Sequence, residues 1–299
     1  MRFYVGWSHS DALFSDYFSD CPTLVSALPD NRGTLKRFNR KPSDLIIDCG
    51  AVYHSKQKQK PTLKSVFEIQ VSMIDECTND CSITLVHYDE PMINKSTLSE
   101  MFHALEKNLY NAYEYQRVVS DRRFGANIST MGVIQGFDKA SIHFSANELK
   151  KMGYKKFGIG SLLTKGHVKQ IQFIKYAIEC VGAENLHVFG VTGLPQMAAM
   201  MRMGISSFDS TRPTMAAAYF QVFYSNPFRT FFLSESRAKP HSPRISEPLL
   251  CDCPVCQVNP KVILKSSPRE YMQLRSIHNY YHLIRTIDNM KEMADEEVI

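Results

Sequence analysis

The sequence predicts an α/β protein, a (β/α)8 TIM barrel followed by a C-terminal subdomain. Two observations predict the barrel: short β-rich runs recur eight times, and segments with helix-type apolar spacing lie between several of them. A third observation predicts the subdomain. Three cysteines occur within six residues near the C-terminus, and histidines follow them in a helical segment.

The predicted strands are short runs of β-branched and other apolar residues. They cover residues 3–7, 23–27, 45–48, 83–88, 130–135, 156–159, 186–191 and 207–209. Apolar spacing predicts helices over residues 64–75, 97–119, 146–152, 168–181 and 195–203. Eight such units close into a barrel whose active site lies at the carboxyl ends of the strands. A doubly wound open sheet is the competing fold, but no G-x-G-x-x-G phosphate loop follows the first strand.

The residues after about Phe231 differ in character from the rest, because prolines interrupt regular structure before a final helix predicted over 268–294. We therefore expect a catalytic barrel domain over residues 1–230. Residues 231–299 would form a metal-binding appendage whose C-terminal helix packs on the barrel.

The appendage contains a cluster of potential metal ligands. The cluster consists of Cys251, Cys253 and Cys256, and His278 follows 22 residues after Cys256. Three thiolates and one imidazole can surround a tetrahedral Zn²⁺ in a closed, structural site. His282 lies four residues after His278 and would share its helix face, so both histidines remain candidates for the fourth ligand.

Composition and charge set limits on the class of protein. The chain is 44% hydrophobic and 22% charged, no run resembles a membrane span, and the N-terminus lacks a signal-peptide pattern. We expect a cytoplasmic protein with reduced cysteines outside the cluster: Cys21, Cys49, Cys77, Cys81 and Cys180. The net charge of +5 does not by itself predict nucleic-acid binding. Three basic groups could contact phosphates or form a solvated surface: Lys36, Arg37, Arg40 and Lys41; Lys56, Lys58 and Lys60; and Arg237, Lys239 and Arg244.

Polar side chains occur where the predicted strands end. They follow the third, fourth, fifth and eighth strands: Asp48, Asp89, Glu90, Gln135 and Asp209. An acidic residue after a strand often caps the next helix. Three carboxylates and an amide that converge at one rim favour an active site instead. Gly160 and Ser161, after the sixth strand, add backbone that a flat ligand could approach closely.

These residues resemble, in the same order along the chain, those of the tRNA-guanine transglycosylases. The resemblance extends from about Leu45 to Asn279. It depends on Asp48-Cys49-Gly50, Tyr88-Asp89-Glu90, Val133-Ile134-Gln135-Gly136, Ile159-Gly160-Ser161-Leu162, Phe208-Asp209 with Pro213-Thr214, and the cysteine cluster with Ile277-His278-Asn279. Members of this family are zinc-containing (β/α)8 barrels that exchange guanine in a polynucleotide for a 7-deazaguanine base.

The resemblance implies a role for each residue. Asp209 would be the nucleophile that attacks the sugar C1′, and Asp48 would transfer protons as the bases exchange. A carboxylate nucleophile lets the glycosidic bond break and re-form with net retention through two displacements. The base would be held by polar groups of Asp89, Gln135, Gly160 and Ser161 and by an aromatic ring, Tyr53 or Phe189. The implied structural Zn²⁺ would be bound by Cys251, Cys253, Cys256 and His278.

The chain departs from the family pattern at several positions. Pro91 replaces a usual cysteine, Ser161 replaces the second glycine of a Gly-Gly-Leu element, and no glutamate occurs within residues 163–166. Loss of that glutamate favours a neutral substituent on the incoming base, such as the nitrile of 7-cyano-7-deazaguanine (preQ0). Residues 215–218, Met-Ala-Ala-Ala, replace an arginine-rich tRNA-contacting stretch. The cysteine-to-histidine spacing is a few residues short, and most of the N-terminal sheet of the tRNA enzymes is missing.

These departures resemble the compact DNA-modifying branch, the 7-deazapurine-in-DNA transglycosylases (DpdA type) of bacteriophages and bacterial modification islands. The similarity predicts a DNA-guanine transglycosylase that protects DNA from restriction, in the host cytoplasm for a phage protein. The target nucleotide would be flipped out or unpaired. The alternatives are a divergent tRNA-guanine transglycosylase and a non-catalytic partner subunit, and the presence of all three aspartates argues against the latter. The oligomeric state stays open, a homodimer included.

Overall fold

The computed structural model describes residues 1–77, 81–93, 95–191, 193–234, 236, 239 and 241–296, with the backbone alone for 294–296. Among these residues, eight parallel strands form a closed barrel in chain order, which confirms the predicted fold class. The strands are β1 (Arg2–Trp7), β2 (Thr23–Ser26), β3 (Asp44–Asp48), β4 (Ser82–Val86), β5 (Ile128–Ile134), β6 (Lys156–Ile159), β7 (Leu186–Val188) and β8 (Ser207–Ser210). Two further strands, β9 (Gln221–Tyr224) and β10 (Arg229–Phe232), pair antiparallel as a separate sheet.

The helices that follow these strands are distributed unevenly. They are α1 (Ala51–His54), α2 (Leu63–Ile74), α3 (Leu98–Ser120), α4 (Lys139–Lys151), α5 (His167–Val181), α6 (Leu194–Arg202), α7 (Arg212–Ala218), α8 (Pro254–Val258) and α9 (Arg269–Glu296). Residues 8–22 and 27–43, all of which are described, contain short 3-10 helices where a regular barrel would have α-helices. No helix within the described ranges combines the length and apolar character that crossing a membrane requires.

The barrel interior is filled by apolar side chains that alternate with outward-facing ones along the strands. One interior cluster consists of Tyr4, Leu24, Ile46, Val86, Met131 and Val133, with Phe189 packed against it. Parallel register aligns the strand ends: Asp44 to Ile47 of β3 pair with Ser82 to Leu85 of β4. The residues that follow β3, β4, β5 and β6 are therefore placed at one rim, which we call the carboxyl rim.

Some predicted boundaries differ from the observed ones. The strands predicted over 83–88 and 186–191 end at Val86 and Val188, although Tyr88 and Val191 are also buried. An apolar run indicates that a segment is buried. It does not show whether the segment is hydrogen-bonded to a neighbouring strand or packs as a loop. Helix α4 begins seven residues before the predicted 146, because Asp138 and Ser141 form a capping box at its N-terminus. The predictions for α2, α3, α5, α6 and α9 lie within two residues of the observed ends.

The chain divides into two compact units. The first contains residues 1–9 and 20–209, and the second contains residues 10–19 and 210–299. In the second unit, the rings of Phe14 and Phe18 contact Tyr280 of α9 at centroid distances of 5.3 and 4.9 Å. The buried Arg275 of α9 donates hydrogen bonds to the carbonyl oxygens of Ala217, Ile263 and Lys265. The composition change near Phe231 falls inside this unit, and the functional division into 1–230 and 231–299 stays a prediction.

Candidate active site

Asp89 lies at the centre of a buried hydrogen-bond network on the carboxyl rim. The Cys49 thiol donates to Asp89 Oδ1 at 3.1 Å, and Gln135 Nε2 donates to Asp89 Oδ2 at 2.7 Å. Gln135 Oε1 in turn accepts the hydroxyl hydrogen of Ser161 at 2.7 Å. The ends of β3, β4, β5 and β6 thus each contribute a side chain to one connected group.

Burial controls the protonation of this network. It raises the pKa of Asp89 to about 6, and the neighbouring charge of Asp48 adds to the rise. Burial also raises the pKa of the Cys49 thiol, as does the charge of Asp89. Near neutral pH the thiol therefore stays protonated and donates a hydrogen bond to an ionised Asp89 carboxylate.

Asp48 and Asp209 are held at the same rim by donors of their own. Asp48 Oδ2 accepts hydrogen bonds from Ser26 Oγ at 3.1 Å and from the Gly50 N–H at 2.9 Å. Burial raises the pKa of Asp48, and the charge of Asp209 contributes to that rise, so the two carboxylates interact electrostatically. A carboxyl group with a raised pKa at a rim of this kind, as for Asp48 and Asp89, is typical of groups that exchange protons.

Asp209 lies on β8 and is 8% exposed. Its Oδ1 accepts the Gly190 N–H at 3.0 Å and lies 3.3 Å from His187 Nε2. The other ring nitrogen of His187 lies 2.8 Å from Ser207 Oγ, which fixes the ring orientation. Helix capping accounts for none of these contacts, so Asp209 and Asp89 are held by tertiary contacts.

The two predicted aromatic residues have different positions. Phe189 is partly buried, packs on the interior cluster and contacts the His187 ring at 4.7 Å, so it lies beneath the rim. Tyr53 on α1 is 48% exposed, and its ring contacts His54. The structure therefore brings Phe189 next to the residues around Asp209, whereas it places Tyr53 at the surface.

Gly160 has a specific packing reason to lack a side chain. A Cβ at this position would lie 2.7 Å from Gln135 Nε2, which is closer than van der Waals contact allows. Gly160 thus makes room for the Gln135 side-chain amide, so it supports the rim indirectly, through the position of Gln135.

Glu90, next to Asp89, is surrounded by lysines. Its carboxylate lies 2.6 Å from Lys60 Nζ, 3.2 Å from Lys95 Nζ and 2.8 Å from Lys107 Nζ. Burial acts to raise the pKa of Glu90, but hydrogen bonds from the three lysines lower it to about 2. Three positive charges against one negative charge leave this part of the rim formally positive.

The other predicted basic groups make different contacts. Arg37 and Lys41 donate to backbone carbonyl oxygens of His9 and Leu35. Arg244 donates to the carbonyl oxygens of Leu233 and Ser234, while Arg237 lies outside the described residues. Among the described lysines of the second group, Lys60 is the one that joins the rim through Glu90.

The second unit contains a candidate metal centre. Ligand atoms of Cys251, Cys253, Cys256 and His278 all lie within 4.8 Å of one another, and the latter three residues are buried. His278 Nε2 donates to the Phe223 carbonyl oxygen at 2.8 Å, which leaves Nδ1 facing the sulfurs at 3.3 to 3.6 Å. A ligating histidine commonly makes this type of bond through its other nitrogen. The four side chains could hold one tetrahedral metal ion.

His282 is oriented differently. Its Nδ1 accepts the Ser225 N–H at 2.9 Å, so the ring proton resides on Nε2, which lies 3.1 Å from Cys251 Sγ. An N–H that faces a sulfur donates to it and does not ligate a metal. The geometry therefore favours His278 as the fourth ligand.

The sequence missed Cys49, Ser26, His187 and the Gly190 N–H as partners of the carboxylates. Cys49 directly follows Asp48, and His187 is a polar residue within an apolar strand next to Phe189. These two sequence positions could have drawn attention to Cys49 and His187. They do not show which carboxylate on another strand each side chain contacts.

Comparisons with known proteins match most of the chain. Residues 73–297 match the profile of the queuine tRNA-ribosyltransferase family. A DNA-guanine transglycosylase from Salmonella montevideo is 24% identical over 197 residues, which are 62% of this chain and 45% of that protein. A queuine tRNA-ribosyltransferase from Chlamydia felis (strain Fe/C-56) is 24% identical over 182 residues, 57% of this chain and 47% of that protein. The chain spans about half the length of these curated relatives.

Proposed function

Since the chain belongs to the queuine tRNA-ribosyltransferase family, we propose that it exchanges guanine in DNA for a 7-deazaguanine base and thereby protects that DNA from restriction. The observation that supports this most strongly is the convergence of three carboxylates, Asp48, Asp89 and Asp209, at one rim. Each is held by donors from neighbouring strands or loops. A non-catalytic partner subunit would not need three carboxylates at one rim, and two of them, Asp89 and Asp209, are buried, which is unfavourable for a charge.

The proposed reaction has two displacements at the sugar C1′. An Asp209 oxygen attacks C1′, the C1′–N9 bond breaks with its electron pair moving to guanine, and Asp48 supplies the proton for the departing base. The incoming base then loses its ring N–H proton to Asp48, and its nitrogen attacks C1′ as the ester bond to Asp209 breaks. Two inversions give net retention.

The Asp89 network suits the edge of a guanine-type base. An ionised Asp89 accepts hydrogen bonds from the N1–H and the exocyclic amine of the base. The Gln135 side-chain amide donates to the carbonyl oxygen of the base. Adenine has the reverse pattern at this edge and would leave buried groups unpaired. Phe189, beneath the rim, supplies an aromatic surface for the base.

The base substituent that we propose is neutral, such as the nitrile of 7-cyano-7-deazaguanine. Residues 163–166 contain no carboxylate. Leu163 lies close to Gly190, since its Cδ2 would be 3.2 Å from a Cβ built there. An apolar side chain beside the Asp209-binding glycine favours an uncharged group over an aminomethyl cation.

DNA as the polynucleotide has two kinds of support. One of the two relatives is named a DNA-guanine transglycosylase. In addition, residues 215–218 have no arginine, and Met215 of α7 is 47% exposed. A tRNA substrate is the second candidate, and it is favoured by the name of the matching family and of the second relative.

The proposed metal is one Zn²⁺ held by Cys251, Cys253, Cys256 and His278. Three thiolates and an imidazole fill a tetrahedral site completely, so no position stays open for water or substrate. The ion would contribute folding energy to the second unit and would take no part in base exchange.

The positive part of the rim leads to a prediction about DNA affinity. We expect the Lys60→Gln/Lys107→Gln double variant to bind DNA more weakly and to lower the slope of log Kd against log salt concentration by about 1 to 2, because each lysine releases about one counterion. Fluorescence anisotropy at several salt concentrations measures this. Lys150→Gln/Lys151→Gln, at the C-terminal end of α4 and hence at the opposite end of the barrel, is the matched control. An equal loss in both double variants would show that the rim lysines have no special role.

The raised pKa of Asp89 predicts a pH-dependent affinity for the free base. Because the ionised carboxylate accepts the base N–H groups, affinity is half-maximal at a pH of about 6, full well above it, and falls about tenfold per pH unit well below it. Equilibrium dialysis with labelled guanine measures the profile. Asp89→Ala should bind the base weakly at every pH in this range while its DNA affinity stays near native. A native affinity that rises on acidification would contradict the assignment.

Incubation with labelled base tests the proposed function directly. Purified protein is mixed with labelled guanine or 7-cyano-7-deazaguanine and with either double-stranded DNA or unmodified tRNA. We expect label in DNA from both bases. Label in tRNA alone would favour the second candidate, and label in neither polynucleotide would contradict base exchange by this chain alone.

A further inference from the structure

Ser161 is a non-glycine residue in the left-handed region of backbone space, with φ of 59°. A residue with a Cβ is disfavoured there relative to glycine. A serine at such a position needs a compensating interaction of its side chain. The Ser161 hydroxyl has one on each side, to Met92 and to Gln135.

These two contacts have a fixed direction. The Met92 backbone N–H, which can only donate, donates to Ser161 Oγ at 2.7 Å. The hydroxyl hydrogen is then directed to Gln135 Oε1, 2.7 Å away. This fixes the amide oxygen of Gln135 toward Ser161 and its NH2 group toward Asp89 Oδ2.

The consequence concerns the hydrogen-bond pattern that the carboxyl rim presents to a base. The NH2 group of Gln135 has two hydrogens, and Asp89 takes one of them. The second makes Gln135 a donor next to the acceptor Asp89. A base edge with a carbonyl oxygen beside N–H groups matches that pattern, whereas a rotated amide would place an oxygen against the carboxylate.

We propose that the Ser161 hydroxyl is a specificity-determining group of the base pocket, because it holds Gln135 as a donor toward the carbonyl oxygen of the base. This inference rests on the proposed function, since it assumes a guanine-type base beside Asp89. Ser161 acts through Gln135 and is therefore a positioning residue.

Two variants and two bases test the inference. Ser161→Ala and Ser161→Gly both remove the hydroxyl. Guanine and 6-thioguanine share the N1–H and the amine, but sulfur is a much weaker acceptor than the carbonyl oxygen. In equilibrium dialysis we expect both variants to bind guanine about five- to tenfold more weakly than the native protein, with 6-thioguanine affinity changed by less than about twofold. The ratio of guanine affinity to 6-thioguanine affinity would therefore be smaller in both variants than in the native protein.

Stability provides an independent comparison. Glycine relieves the left-handed backbone and alanine does not, so Ser161→Gly should melt roughly 2–4 °C above Ser161→Ala while sharing its loss of guanine preference. Ser145→Ala is the matched control, because the hydrogen bond of Ser145 Oγ to Gln135 is made with the backbone N–H, at 3.3 Å, rather than with the side-chain amide. It should keep the native preference. A Ser161→Gly variant with native guanine preference would overturn the proposal.

A readout without any base separates this inference from the proposed function. In isotope-labelled protein, the Gln135 side-chain amide proton that Asp89 accepts should exchange slowly with solvent in the native protein and faster in both Ser161 variants. Unchanged exchange in the variants would overturn the hydrogen-bond assignment. Native protein that binds neither base, with the expected exchange behaviour, would instead refute the guanine site and with it the specificity role.

Discussion

The Asp209→Asn variant is expected to lose base exchange by more than about a thousandfold, since removal of a covalent nucleophile can cost up to about 10⁶ in kcat. Asparagine keeps the shape of the side chain, and its Oδ1 can still accept the Gly190 N–H. The fold should therefore be intact. Release of labelled guanine from DNA measures the activity, and thermal melting with metal analysis measures folding.

Asp44→Asn is the matched control for this variant. Asp44 begins β3, at the end of the barrel opposite the carboxyl rim, where it pairs with Arg2 at 3.3 Å. The same chemical change there should leave exchange within about twofold of native, because Asp44 lies away from the rim and a partly exposed ion pair contributes little. Near-native exchange by Asp209→Asn would show that another group is the nucleophile.

The Cys253→Ser variant is expected to lose most of the proposed Zn²⁺ and to destabilise the second unit by about 5 kcal/mol or more, because structural zinc contributes about 10–16 kcal/mol in small zinc-binding peptides. Cys253 is fully buried, and its sulfur lies 3.3 Å from His278 Nδ1. A serine hydroxyl is a poor replacement for the thiolate. Metal analysis and denaturant unfolding measure the two effects.

Cys180→Ser provides the comparison, because Cys180 is a partly exposed thiol of α5 in the first unit. It should keep native zinc content and stability. Full stability of the native protein after complete removal of zinc by a chelator would contradict a structural role for the cluster.

The barrel could be predicted because each strand is a local pattern. Residues 45–47 and 157–159 are short runs without a charged residue; Asp44 and Asp48 bound the first run, and Lys156 precedes the second. These properties do not depend on distant parts of the chain. The strand ends also place Asp48 and Gln135 at one rim as soon as a parallel barrel is assumed. Fold and the general position of the site thus follow from short-range information.

The pairwise contacts of the site could not be predicted in this way. The Cys49 thiol meets Asp89 from another strand, and His187 meets Asp209 through barrel register and side-chain rotamers. Ser161 appeared in the sequence as a departure from a glycine pattern, whereas its hydroxyl bonds depend on Met92 and Gln135, which are distant in sequence. Tyr53 lies near Asp48 in sequence, but its ring is 48% exposed, and its role in stacking on the base stays a prediction.

The two histidines of the metal cluster illustrate the same limit. Residues 278 and 282 share one face of α9, and helical spacing therefore treats them alike. What separates them is the partner of the second ring nitrogen, a carbonyl oxygen for His278 and a backbone N–H for His282. Those partners lie on and beside β9, more than fifty residues earlier in the chain.

Intermediate trapping tests most directly whether a carboxylate of this rim bonds covalently to the sugar while the base is exchanged. Protein incubated with DNA is denatured and digested, and the peptides are analysed by mass spectrometry. We predict a denaturation-resistant adduct whose sugar is attached to Asp209, present with the native protein and absent from Asp209→Asn. An adduct attached to Asp48 would contradict the assigned roles, and base exchange without any adduct would contradict the covalent mechanism.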